Sequence, residues 1–234
     1  MKRVKITTIL NTTYDTIAAR RHNIWMGISL GNKYFHKDHL ARYISWAVSY
    51  SKERFLMIVA DEIHAINYEV FEGASPEKAM RKALRVGDKM CSDINEIVKQ
   101  LPQNGASKVS VIRWHHIREM PSYEIGLTKI ENLAARDDEF YELMIDIVRI
   151  NLRDRALGLS EAQMDALARY VILEFPTFLG PLVYDGVSYD LNIYPGLSLL
   201  DDMVLAIQDK MFFRELTEGI SEDNQLAIAE VYAE

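Results

Sequence analysis

Gly27-Ile28-Ser29-Leu30-Gly31-Asn32 sets a serine hydroxyl between two glycines, directly after a short strand-like run, Asn23 to Met26. In open α/β sheets ligands bind in the crevice beyond the carboxyl ends of the strands. Flanking glycines let a substrate approach the backbone. Ser29 is therefore a candidate nucleophile. The plainer reading is a turn serine, because Gly-x-Ser-x-Gly acquires meaning only from its structural context. Tyr170 and Glu174 are spaced i, i+4 and share one helix face. A phenol and a carboxylate so held can bind an ammonium group or shuttle a proton, or can be an ordinary surface pair. Asn192 and Tyr194 lie on the polar side of an alternating run, with Tyr194 followed by Pro195 and Gly196. Trp25, Gly27 and Ser29 share strand parity, so Trp25 points toward any pocket at the serine and reduces its volume. A small substrate group is expected in that pocket on that ground. Finally, Lys78, Lys82, Arg85 and Lys89 form one helical stripe with Arg81 beside it. Such a ridge can follow a phosphate backbone, although a charge run is commonly just a solvated face.

These residues need elements to carry them. Val4–Leu10, Asn23–Met26, Phe55–Ala60 and Lys108–Arg113 read as short buried strands. Helices are expected over Lys37–Ser51 and over Pro76–Leu101, the latter with Ser75 as N-cap and Pro76 at its first position. The alternation describes an α/β fold: a Rossmann-like, doubly wound parallel sheet flanked by helices. After Met120 the chain turns mostly helical: Tyr123–Leu152 as one long or two joined helices, then a helix from Ser160 and Glu161 to about Glu174, stopped by Pro176. A last strand, Val187–Tyr194, and a helix, Leu197–Leu216, complete the reading, with an acidic C-terminus expected to fray. No repeat or long linker divides residues 1–234, which are expected to form one domain.

At 234 residues and 49% hydrophobic content the chain can bury a sizeable core. No stretch approaches the roughly 20 apolar residues of a membrane span. The N-terminus is too short in apolar residues for a secretion signal, and the single cysteine, Cys91, excludes an internal disulfide. A cytoplasmic location without membrane contact is expected. The net charge of −7 argues against nucleic acid as a general partner, so any such contact rests on the local ridge. The six histidines, with His36/His39 at i, i+3 and His115/His116 adjacent, lack further ligands at metal spacing.

Taken together, these motifs resemble the tRNA-dependent cyclodipeptide synthases, a family similar to the catalytic domains of class I tyrosyl- and tryptophanyl-tRNA synthetases. Gly27, Ser29 and Asn32 match its serine loop; Tyr170, Glu174 and Pro176 match its Tyr-x-x-x-Glu followed by Pro; Tyr194-Pro195 matches its final motif. The resemblance implies a Rossmann-like domain with a helical elaboration. It implies that Ser29 takes the aminoacyl group from a first charged tRNA and that Tyr170 and Glu174 hold its amino group. Glu174 would assist proton transfer, Tyr194 would relay protons near Ser29, and Gly27 would leave room for substrate. The basic helix, with Lys78, Arg81, Lys82, Arg85 and Lys89, would hold the tRNA. Two aminoacyl-tRNAs are the implied substrates of a monomer with no obligatory protein partner and no cofactor. One branch of the family pairs Asn in the serine loop with Tyr-His; the other has a variable residue there and Tyr-Pro. Tyr194-Pro195 assigns this chain to the Tyr-Pro branch, which leaves the role of Asn32 open.

The residues alone are consistent with this chemistry. An aminoacyl ester is already activated, and the class I ATP signatures His-x-Gly-His and Lys-Met-Ser-Lys-Ser are absent. A serine ester would divide the reaction into two acyl transfers in a ping-pong order. Two other readings stand beside it. A hydrolase would use the Gly-x-Ser-x-Gly elbow, but elbows of that kind normally follow several strands. A non-catalytic RNA-binding module would explain the basic helix but not the Ser29, Tyr170, Glu174 and Tyr194 set.

Overall fold

The computed structural model describes residues 4–196, 199–209, 212–216 and 225–233. Among the described residues are eight strands: β1 (Val4–Leu10), β2 (Ile24–Ser29), β3 (Phe55–Ala60), β4 (Val109–Arg113), β5 (Leu182–Tyr184), β6 (Val187–Tyr189), β7 (Leu191–Tyr194) and β8 (Ala227–Ala233). The α-helices are α1 (Tyr14–Ala18), α2 (Lys37–Tyr50), α3 (Asp61–Glu72), α4 (Pro76–Val98), α5 (Gln103–Ala106), α6 (Trp114–Arg118), α7 (Pro121–Arg136), α8 (Asp138–Leu152), α9 (Glu161–Glu174) and α10 (Leu199–Gln208).

The main sheet has six strands in the order β1-β8-β7-β2-β3-β4, and β5 pairs with β6 in a separate hairpin. The run β8-β7-β2-β3-β4 is parallel; β1 alone is antiparallel, on the edge. This is the α/β, Rossmann-like sheet that the sequence predicts. The all-apolar β3 is buried along its whole length, as a central parallel strand must be. On one side α2 and α4 cover the sheet, with Leu40, Ile44, Ile94 and Ile97 against Ile24, Met26, Ile28 and Met57. On the other lie α6 to α10, with Phe140, Met144, Ile172 and Phe175 in the same core as Leu56, Ile58 and Ile112.

Several boundaries differ from the sequence expectation, each for a local reason. The strand expected over Asn23–Met26 runs on to Ser29, in unbroken register with β3 from Ile24↔Phe55 to Ser29↔Ala60. Ser29 is thus the last strand residue, not a turn residue. Of the two alternatives for Tyr123–Leu152, two joined helices is the one found, because the Asp137 carboxylate accepts from Phe140 N–H at 2.9 Å and starts α8. The single strand Val187–Tyr194 is two, in different sheets. Asp190 breaks it, accepting from Asn23 N–H at 2.9 Å and pairing with His22 Nδ1 at 2.8 Å. Of the expected helix Leu197–Leu216, α10 and a 3-10 turn at Arg214–Leu216 are seen; residues 197–198 and 210–211 lie outside the described residues.

Among the elements that escaped the sequence reading, two bear most on the site and the sheet. The C-terminus does not simply fray: Ala227–Ala233 enters the sheet as β8, between β1 and β7. The helix α3 follows β3 without a capping side chain, so no punctuation separates it from the strand. It is held by Asp61, fully buried, whose carboxylate accepts from the Arg113 guanidinium Nε–H. Gly87 of α4 packs on that carboxylate so closely that a Cβ would stand 2.6 Å from Asp61 Oδ2.

Candidate active site

The carboxyl ends of β7, β2 and β3 open on one cavity of about 690 Å³. Ser29 ends β2 inside it. Its hydroxyl lies 3.0 Å from the Tyr194 hydroxyl at the end of β7. Asn32 donates from Nδ2 to the same phenol oxygen at 3.2 Å, while its Oδ1 accepts from Tyr34 N–H at 3.0 Å and caps a 3-10 turn. Asn32 therefore fixes both the loop behind Ser29 and the ring that faces it. Gly31 adopts φ +75°, the left-handed turn that takes the chain away from the strand end. Gly27 needs no such conformation; a Cβ there would meet nothing closer than the Trp25 ring at 3.9 Å. Its missing side chain therefore widens the cavity and relieves no crowding within the protein.

Tyr170 and Glu174 enter from α9 and line the same cavity, so the four residues brought forward by the sequence converge. Burial, and then Glu174 and Tyr194, hold the Tyr170 phenol well above its ordinary range, partly offset by hydrogen bonding to Ser29. Burial pushes the Tyr194 phenol up to about 12. Both are neutral hydroxyls at physiological pH, able to donate. Burial, and secondarily Asp201, raises the Glu174 carboxyl to about 7. A carboxyl near neutrality can take and return a proton in the working pH range. Asp201, in the first turn of α10, is itself buried and lines the cavity. Sequence reasoning missed it, because an acid in the first turn of a helix is common on dipole grounds alone.

Trp25 lies where parity placed it: on the cavity wall, 2% exposed, its ring 5.6 Å from that of Phe178. The unforeseen α3 also lines the cavity, through His64, Asn67, Tyr68 and Phe71. Burial lowers His64 to about 4, and its Nδ1 lies 3.1 Å from Asn67 Nδ2, so it serves as a neutral acceptor. The apolar spacing of Ile63, Ile66 and Val70 was the available signal for this helix.

The basic stripe divides on inspection. Lys78, Arg81, Arg85 and Lys89 are exposed on α4, while Lys82 is partly buried. Lys82 pairs with Glu72 at 2.5 Å and sits 4.2 Å from the Tyr68 ring centre, tying α4 to α3. Lys89 pairs with Asp93 one turn on. Histidine pairs stack on each other, His36 on His39 and His115 on His116. Among the described residues, no group of three or more acidic, histidine or cysteine side chains is arranged to hold a metal. No helix among them is long and apolar enough to cross a membrane.

A nucleophile-type serine, two neutral phenols and a carboxyl group that titrates near 7 in one cavity suit acyl transfer from an activated ester. Comparison with known proteins agrees. Cyclo(L-leucyl-L-leucyl) synthase of Bacillus subtilis (strain 168) is 25% identical over 171 residues, 70% of this chain and 67% of its own. A cyclodipeptide synthase from Bacillus thermoamylovorans shares the fold with a TM-score of 0.77 at 18% identity, over 100% of this chain and 96% of that one. Another, from Candidatus Glomeribacter gigasporarum and bound to Phe-tRNAPhe, does so with a TM-score of 0.56 at 15% identity, over 91% and 87%. The sequence profile of the cyclodipeptide synthases matches residues 7–215, and the chain belongs to that family of enzymes.

Proposed function

We propose that this enzyme forms a 2,5-diketopiperazine from two aminoacyl-tRNAs through an aminoacyl ester on Ser29, as a member of the Tyr-Pro branch. The observation that carries this reading is the Ser29–Tyr194 hydrogen bond in a cavity also lined by Tyr170 and Glu174. Ser29 Oγ attacks the first ester carbonyl; its proton passes through the hydroxyl network to the departing tRNA terminal oxygen. Tyr170 and Glu174 hold the α-amino group of the bound residue. That amine then attacks the second ester, and Glu174 takes the proton it sheds. A dipeptide is left on Ser29 and the second tRNA departs with its hydroxyl restored. The free amine of the dipeptide attacks the Ser29 ester, closes the six-membered ring and returns the proton to Ser29. No step consumes ATP. Each Ser29 ester divides a difficult condensation into acyl transfers of similar energy. Lys78, Arg81, Arg85 and Lys89 give α4 an exposed cationic face suited to a tRNA backbone, and Lys82 supports that face through its contacts with α3.

Purified protein mixed with preloaded tRNAs, without ATP, should release a cyclic dipeptide detectable by mass spectrometry. Absence of product for every amino-acid pair overturns the reading.

A further inference from the structure

Ala227–Ala233 lies beyond residues 7–215, the span that the family profile matches, yet as β8 it reaches the serine loop. Register pairs Glu230 with Tyr194 on the parallel neighbour β7. Alternate residues of a strand share a face, so Tyr232 stands on the same side as Glu230, one step further along. β7 has ended there, and its chain passes Tyr232 at Gly196, whose φ is +112°; a Cβ on Gly196 would lie 3.8 Å from the Tyr232 hydroxyl. That hydroxyl is anchored. It donates to Glu230 Oε1 at 2.8 Å, while Glu230 Oε2 accepts from the Thr7 and Thr8 hydroxyls of β1 at 2.5 and 3.0 Å. The Tyr232 ring meets that of Tyr34 edge to face, with centres 5.8 Å apart and planes at 71°. Tyr34 lines the cavity, and its N–H is the group that Asn32 Oδ1 binds. Asn32 Nδ2 in turn holds the Tyr194 phenol oxygen, which lies 3.0 Å from Ser29 Oγ. A chain of contacts thus runs from β1 through β8 to the serine loop, and Tyr232 is itself not a cavity-lining residue.

We infer that Tyr232 is a positioning residue for the acyl transfer: its ring, anchored through Glu230, fixes Tyr34 and with it the Asn32 side chain that orients the Tyr194 hydroxyl toward Ser29. The inference rests on the proposed roles of Ser29 and Tyr194. Filling space beside the serine loop would need only an apolar side chain. An anchored aromatic fixes a direction as well as a volume, because edge-to-face rings have a preferred geometry. Positioning of this kind acts on the reacting atoms, where a displacement of about 1 Å can cost about 10²-fold in rate. It leaves substrate binding untouched, because Tyr232 neither lines the cavity nor belongs to the cationic face of α4.

The test is steady-state cyclic-dipeptide formation from preloaded tRNAs by full-length variants, with acylation of Ser29 followed by intact-protein mass spectrometry. Tyr232→Leu should lower kcat about tenfold and leave KM for aminoacyl-tRNA within about twofold. Tyr232→Phe keeps the ring contact and should hold kcat within about threefold of the wild type. Tyr43→Phe is the control for docking of the strand. It removes the hydroxyl that accepts from Ala233 N–H at 3.2 Å, at the same end of β8, and should leave kcat within about twofold. In an Asn32→Ala background Tyr232→Leu should cost about twofold or less, because its effect passes through Asn32. An unchanged kcat in Tyr232→Leu, a loss confined to KM, an equal loss in Tyr43→Phe, or the full loss retained in the Asn32→Ala background overturns the inference while acyl-Ser29 still forms. Product formed with no acyl group on Ser29 overturns the proposed mechanism and this inference with it.

Discussion

The Ser29 cavity and the outer face of α4 both concentrate polar side chains, under opposite physical conditions. In the cavity, burial raises Glu174 to about 7 and Tyr194 to about 12, and each hydroxyl has a named neighbour. On α4, Lys78, Arg81, Arg85 and Lys89 point to solvent, and the ion pairs present are surface pairs such as Lys89–Asp93. Surface pairs contribute about 0–1 kcal/mol and are screened by salt. The difference teaches that chemistry at Ser29 depends on individual atoms, whereas any work done by α4 depends on summed charge. Deletions in the first region should be severe and specific, and in the second graded and salt-dependent.

The largest expected effect is that of Ser29→Ala, which should lower cyclodipeptide formation by about 10³-fold or more while the melting temperature stays near that of the wild type. A labelled acyl group trapped on the alanine variant would remove Ser29 from its role. Next come Tyr170→Phe and Glu174→Gln, each expected to reduce the rate by about 10²-fold or more. Glu174 adds a pH signature. As a base it must be ionised, so the rate should rise with pH through about 7 and this limb should vanish in Glu174→Gln. A limb retained in that variant belongs to another group.

Stability should move the other way. The Glu174 carboxyl titrates near 7 in the folded chain and near 4.5 in its absence. Between those values the folded chain keeps a proton that the unfolded chain has lost. Stability is therefore full below about 4.5, declines toward 7, and stays lower above. Glu174→Gln, which mimics the protonated acid, should match the wild type at the acid end and melt higher at alkaline pH. A variant that melts lower at alkaline pH would show that the carboxylate stabilises the fold.

Smaller effects belong to α4. Arg81→Gln with Arg85→Gln should weaken tRNA binding by about tenfold and lower the log–log salt slope by about 1 per lost phosphate contact. An unchanged slope moves the tRNA elsewhere. Smallest is Lys82→Met: binding should change by about twofold or less, and the loss of the Glu72 pair and the Tyr68 ring contact should cost about 1 kcal/mol of stability. A Lys82 effect exceeding that of the arginines would reverse the division drawn within the stripe.

Spacing along the chain marked Ser29, Tyr170, Glu174 and Tyr194 as candidates, each with a plainer reading beside it; the family resemblance joined them, and the fold brings all four to one cavity. Parity placed Trp25 on the cavity wall, because the strand period determines which side chains share a face, and it held because β2 is regular through Ser29. Local chemistry also announced the Ser160 N-cap, which accepts from Gln163 N–H at 3.3 Å. Three features were decided by partners distant in sequence. Ala227–Ala233 becomes a strand because a gap between β1 and β7 receives it, with partners more than 200 residues away on β1. The helix α3 begins at a buried Asp61 whose partner, Arg113, lies 52 residues on. Asp201 raises Glu174, and Asn192 meets Trp25, only because α10 and β7 return to the carboxyl end of β2. Periodicity is a property of neighbours in sequence and can be read there. Burial, register and shifted ionisation are properties of neighbours in space, and the tertiary structure alone decided them.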